Sequence, residues 1–211
     1  MGRVTLDGFI ASIERQREAA LFCAIGEPDP LDVALAMLPS DAVALEFGVF
    51  RGESLSRIAR ALPNGTIFGF DSFLGLPSDW RAGFPAGMFS TEGNVPETPG
   101  ATIVPGLFAD TLPRWLDDHE DQQIHLIHID CDIYESTACV LENLAPRLVA
   151  TARNGRRVVL VFDELIGYPG FEVHEIRALW ECCETHSLRS QIVCSGGIFN
   201  QAVALTLTRK R

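Results

Sequence analysis

Apolar residues recur at helical spacing in the first part of the chain: Phe9, Ile10 and Ile13 fall within residues 5–25, and Leu31, Val33, Ala34, Leu35 and Leu38 within 31–38. Positions three and four apart share one helix face, so two leading helices are predicted, split by the turn Gly26-Glu27-Pro28-Asp29-Pro30. The pattern then changes character. Residues 42–48 form a short, nearly continuous apolar run that turns glycine-rich at its end, which suits a strand buried on both faces. Leu55, Ile58, Ala59 and Leu62 mark a helix directly after it, stopped by Pro63-Asn64-Gly65, and residues 66–71 form a second strand. From Ser72 to Gly100 no period is visible, while Phe73, Trp80, Phe84 and Phe89 stand among many Gly and Pro. A stretch this long without regular structure is usually functional, and residues 73–100 are read as a lid loop.

Strands are predicted next at 102–104, 124–130 and 158–163, each followed by a helix, at 110–116, 136–148 and 173–185. Two strands close the chain, 190–194 and 202–208, with Ser195-Gly196-Gly197 between them. That connection is too short for a crossover helix, so the last pair is an antiparallel hairpin. The alternation predicts an α/β fold: a Rossmann-like, mostly parallel seven-stranded sheet with an antiparallel C-terminal strand and helices on both faces. With 211 residues and no composition break, residues 1–211 are expected to form a single domain, of which 1–40 are the leading helices.

Composition narrows the function classes. A net charge of −11 opposes a nucleic-acid partner, which needs an electropositive face. No apolar run approaches the roughly 18 residues of a membrane span, and no signal segment opens the chain. The six cysteines have no zinc-ligand or CxxC spacing and read as free thiols of a reducing, cytoplasmic compartment. A homo-oligomer is compatible with all of this. Ligands of open α/β sheets bind beyond the carboxyl ends of the strands, and acids stand there on four of the five parallel strands: Glu46, Asp71, Asp130 with Asp132, and Asp163 with Glu164. The first turn reads Glu46-x-Gly48-x-x-x-Gly52, which differs from the GxGxxG of dinucleotide binders. Asp71, 19 residues beyond Gly52, is suited to accept both hydroxyls of a ribose, or else to form a local turn with Ser72.

The segment Leu45-Glu46-Phe47-Gly48-Val49-Phe50-Arg51-Gly52-Glu53-Ser54 resembles the S-adenosylmethionine motif of class I methyltransferases. The runs 70–77 (FDSFLGLP), 106–113 (GLFADTLP), 128–137 (HIDCDIYEST) and Phe162-Asp163-Glu164, with Tyr168-Pro169-Gly170 after it, resemble the macrocin O-methyltransferase family across about residues 43–180. That resemblance implies a small-molecule hydroxyl acceptor, such as a sugar, and S-adenosylmethionine as cofactor. It implies that Glu46, Gly48 and Ser54 meet the methionine end, Asp71 the ribose, and Asp110 or its backbone the adenine. Gly52 and Ser72 complete the expected cofactor set. It further implies that Asp130, Asp163 and Glu164 hold Mg²⁺ beside the acceptor, although the family pairs two Asp where this chain has Asp163-Glu164.

The chemistry is coherent with those residue types. A hydroxyl is a poor nucleophile while protonated, so a base or a cation must lower its pKa. Carboxylates suit Mg²⁺. Asp130 and His174 are the candidate catalytic groups, whereas His128, flanked by Ile127 and Ile129, reads as a core residue. The alternatives are a catechol-type methyltransferase and an NAD(P)-dependent oxidoreductase, the latter disfavoured by the missing GxGxxG.

Overall fold

A computed structural model describes residues 4–25 and 28–210. The chain opens with helix α1 (Leu6–Ala19), capped by the Thr5 side chain, which accepts from the Gly8 N–H, and buried through Phe9 and Ile13. The expected helix over 5–25 stops short. Ala20 is extended, and Leu21–Cys23 forms strand β1, parallel to the penultimate strand. Gly26 and Glu27 of the expected turn lie outside the described residues. Helix α2 (Pro30–Ala36) follows with two start signals, the Asp29 side chain accepting from Asp32 N–H and Pro30 in the first turn.

The alternating part of the chain runs as its pattern predicts. Its elements are β2 (Val43–Phe47), α3 (Glu53–Ala61), β3 (Thr66–Asp71), β4 (Thr102–Pro105), α4 (Phe108–Asp118), β5 (Leu126–Ile129), α5 (Tyr134–Arg153) and β6 (Val159–Phe162). After a short 3₁₀ turn come α6 (Glu175–Thr185), β7 (Leu188–Gly196) and β8 (Ala202–Arg209). Among the described residues the sheet has eight strands in the order β1-β7-β8-β6-β5-β2-β3-β4. Only β8 runs against its neighbours β6 and β7, so the expected antiparallel hairpin is present and the expected seven strands become eight through β1.

The two sheet faces bury different side chains because successive strand residues point oppositely. Leu45 and Phe47 of β2 join Phe68, Phe70, Leu112, Trp115 and Leu141 in the larger core, beneath α1, α4, α5 and α6. Ala44 joins Leu31, Leu35, Leu55 and Ile58 in the smaller core beneath α2 and α3. Phe47 stacks on Phe70 with centroids 4.9 Å apart and meets the edge of Phe108 at 5.4 Å. These rings seat the start of α4 against the end of β2.

Gly48 sets how closely the central strands end. Its φ is +94°, and a Cβ built there would lie 1.8 Å from the Asp130 carbonyl oxygen. Gly48→Ala must therefore separate β2 from β5 and strain its own backbone. A loss of about 2–4 kcal/mol is expected from the clash and the left-handed conformation together. Urea denaturation checks it, and an unchanged midpoint would contradict this account of the turn.

Candidate active site

The chain leaves β2 toward β3 and β4 on one side, then crosses back to β5 and β6 on the other. The switch point therefore lies between β2 and β5, where Phe47 pairs with Ile129 and the Asp130 N–H donates to the Phe47 carbonyl at 2.9 Å. Two cavities open at this edge, of about 360 and 390 Å³. Phe50 and Asp130 line both of them.

The first cavity has walls from Gly48, Asp71, Ser72, Gly106 to Ala109, and the start of α5. Asp71 does more than face it. One carboxylate oxygen accepts the N–H groups of Val49 and Phe50 at 2.8 and 2.7 Å, and the other accepts Phe73 N–H at 2.8 Å. Asp71 thus ties the β2–α3 turn to the end of β3 and forms the local turn as well. A carboxylate has roughly four acceptor positions, so one remains for a ligand. Asp110 is exposed and lines neither cavity, while the four residues before it face the first one.

Glu46 does not reach either cavity. It is fully buried, and its Oε1 lies 2.8 Å from Nδ1 of His128, the residue opposite it on β5. His128 lines the second cavity in its place. Burial works against the imidazolium, but the bond and charge of Glu46, with the charges of Asp130 and Asp163, raise the His128 pKa to about 9. Ser54 lines the second cavity from α3. Gly52 lines neither; its left-handed backbone starts α3, and a Cβ there would press on Thr98 at 2.8 Å.

The ends of β5 and β6 gather acids. One carboxylate oxygen each from Asp130, Asp163 and Glu164 lie within 4.8 Å of one another. Asp132 adds a fourth acid, turned into the first cavity by a left-handed backbone at φ 65°. Glu175, fully buried at the start of α6, adds a fifth, and neither of its oxygens has a partner of normal hydrogen-bond geometry. Burial, then mutual charge, raises the pKa of Asp132 to about 7, and those of Asp130, Glu164 and Glu175 further. Arg81 lowers Asp132 in turn. Its guanidinium lies over Trp80, Tyr168 and Phe84 at 3.8, 4.7 and 4.8 Å from the ring centroids. The 73–100 loop is thereby pinned beside the cluster, and its Leu76, Pro77 and Phe89 line the first cavity.

His174 is not brought to the acids. It lines neither cavity and stacks beside Tyr168, 6.3 Å between centroids. Burial lowers its pKa. Asp132 was visible in the sequence as the second acid of Asp130-x-Asp132 without being assigned a role. Glu175 and Arg81 carried no sequence signal, since nothing local shows which helix start or loop residue folds against a strand end, and Tyr168 stood in a family motif without a role.

The raised carboxyl pKa values mean that the metal-free folded protein holds protons its unfolded chain has released. Stability therefore falls as pH rises from about 4 through about 7 for Asp132, and further for the more strongly shifted groups. His128 acts in the same direction: its contribution is complete below its unfolded pKa of 6.5 and is lost as pH passes about 9. With a chelator present, the urea midpoint is expected to decline steadily from about pH 5 to about pH 9. A midpoint that climbs over this range would contradict the burial of the cluster.

Comparison with known proteins agrees with this geometry. Residues 45–164, more than half of the chain, match the family model described as a methyltransferase domain. The crystal structure of CalS11, a calicheamicin methyltransferase, is 26% identical over 75% of this chain and 70% of its own, with a TM-score of 0.55. The apo structure of CalS11, a TDP-rhamnose 3'-O-methyltransferase of calicheamicin biosynthesis, gives 25% identity over 75% of this chain and 69% of its own, with a TM-score of 0.49. The precorrin-6y C5,15-methyltransferase of Geobacter metallireducens gives 17% over 86% and 87%, with a TM-score of 0.49. No curated protein matches. Among the described residues no helix is long and apolar enough to cross a membrane. The family match sets aside the nicotinamide oxidoreductase alternative. The chain belongs to the methyltransferase-domain family and is an S-adenosylmethionine-dependent methyltransferase.

Proposed function

We propose that the enzyme methylates a hydroxyl of a sugar-containing or other small-molecule metabolite, in the manner of the macrocin-type enzymes, with a divalent cation held at Asp130, Asp163 and Glu164. The observation that carries this reading is the convergence of those three carboxylates where the two cavities meet. The donor set suits Mg²⁺: it is all hard oxygen, and Oε2 of Glu164 is buried without a partner. Bound there, the ion would offset the repulsion of the acids and lower the pKa of a hydroxyl beside it. Likeness to a calicheamicin methyltransferase supports a small-molecule acceptor.

The chain's own groups supply the rest. Asp71 and the backbone of Gly106 to Ala109 hold the nucleoside in the first cavity, and Gly48 and Ser54 meet the methionine end. The methyl carbon then stands near Phe50 and Asp130. The acceptor oxygen attacks it in line with sulfur: the C–O bond forms as the C–S bond breaks, and S-adenosylhomocysteine leaves. The hydroxyl proton passes to a cluster carboxylate, for which Asp130, on the wall of both cavities, is the best placed. Most of the acceleration comes from positioning.

Two measurements test this. Chelation should reduce methyl transfer by at least about tenfold, with recovery on adding Mg²⁺, and Asp163→Asn should behave like the chelated enzyme. Full activity under chelation would remove the cation and leave the carboxylates as the base. Asp71→Ala should weaken S-adenosylhomocysteine binding by about 1.5–3 kcal/mol, read by calorimetry. Because Asp71 also ties three backbone N–H groups, the variant should unfold earlier as well. Unchanged affinity in folded protein would take Asp71 out of the cofactor site.

A further inference from the structure

We infer that the mouth of the second cavity is a subsite for an apolar, aryl or alkyl, portion of the acceptor, carried by Ile198 and Phe199 at the tip of the β7–β8 hairpin with Gln201 beside them. The inference deepens the hydroxyl-acceptor reading and rests on it. The cavity's floor holds Asp130, Asp163 and His128, and its α3 side holds Ser54, where the methionine end of the cofactor belongs. The hairpin residues of the same cavity are left for whatever brings the hydroxyl.

Two features of the hairpin point to a ligand. Ile198 and Phe199 are 73% and 74% exposed, although both line the cavity. Their exposure is not that of a loose loop. Gly197 N–H donates to the Cys23 carbonyl at 3.2 Å, and Asn200 N–H to the Gly197 carbonyl at 3.1 Å. Arg17 of α1 donates to the carbonyl and the side-chain oxygen of Asn200 at 3.1 and 2.7 Å. A Cβ at Gly196 would lie 2.2 Å from the Cys23 carbonyl oxygen, so the turn is seated against β1. Apolar groups held out on a braced turn lose little further freedom on binding. The second feature is Gln201, a residue of the cavity wall whose side-chain oxygen is buried and unpartnered. An orphaned acceptor of this kind is costly unless a donor arrives, and a ligand hydroxyl is such a donor. Carboxylates, an unpartnered amide oxygen and two apolar side chains among the residues of one cavity fit a hydroxylated molecule with an apolar extension. A bare polyol would gain nothing from Ile198 and Phe199.

The test compares phenyl β-D-glucopyranoside with methyl β-D-glucopyranoside by ligand-observed NMR, with S-adenosylhomocysteine and Mg²⁺ present. The wild type should bind the phenyl compound about tenfold more tightly, as partial burial of one ring allows. The double variant Ile198→Ser, Phe199→Ser should bring the two affinities within about twofold. Phe199→Leu should keep most of the preference, and S-adenosylhomocysteine affinity should be unchanged throughout. No phenyl preference in the wild type, binding of neither glycoside, or a preference that survives the double variant would overturn the subsite. So would loss of S-adenosylhomocysteine affinity in the double variant, which would give the tip to the cofactor. The hydroxyl-transfer reading fails by a different result, an intact phenyl preference in an enzyme that methylates no hydroxyl compound.

Discussion

Five carboxyl side chains, Asp130, Asp132, Asp163, Glu164 and Glu175, are crowded where β5, β6 and α6 meet, and the arrangement of the whole edge answers their mutual repulsion. Parallel strands deliver the first four, because every parallel strand ends on the same side of the sheet. Gly48 then lets β2 close on Asp130, which leaves no room for a side chain between them. Two cations stand near. His128 is held by Glu46 within the sheet, and Arg81 is held by three aromatic rings beside Asp132. Each is fixed by something other than the acids. The cluster is thus kept in shape by groups outside it, while protons held by its raised carboxyls offset the crowding until a cation takes their place.

The sheet was legible in the sequence because its strands are buried on both faces, which leaves apolar runs too long to be anything else at that spacing. The failure lay in 5–25. Leu21-Phe22-Cys23 is three residues, shorter than any period can register, and it becomes a strand through pairing with Cys194 to Gly196, far away in the chain. Residues 72–100 were legible only as irregular. Their order comes from contacts between Trp80, Phe84 and Tyr168, and Tyr168 lies beyond β6.

At the site, residue type was easier to read than residue direction. Asp130, Asp163 and Glu164 were expected together and do converge, since position at a strand end fixes where a carboxylate goes. Glu46 lies one residue inside β2, and that single step puts it in the interior, opposite His128. A motif match assigns it to the ligand; the register assigns it to the sheet. Asp71 shows the opposite case, a residue expected to serve a ribose that is already engaged with three backbone N–H groups. Its place on the first cavity and its grip on the β2–α3 turn have one cause, because both follow from its position at the end of β3, within reach of that turn.

The antiparallel strand has a consequence for the same edge. Since β8 opposes both β6 and β7, β7 runs parallel to β6, and its end at Gly196 falls beside the ends of β5 and β6. The hairpin tip is therefore forced to the chemical edge by topology alone. The same holds for β1, which runs parallel to β7 and releases the chain toward α2 at this edge, where Asp29, Pro30 and Leu31 line the second cavity. Segments from outside the central motifs thus line the second cavity together with the β2–α3 turn. The family match spans residues 45–164, so the hairpin and the leading segment both lie outside it. Acceptor choice is best sought there, on loop residues that the sheet places beside the carboxylates.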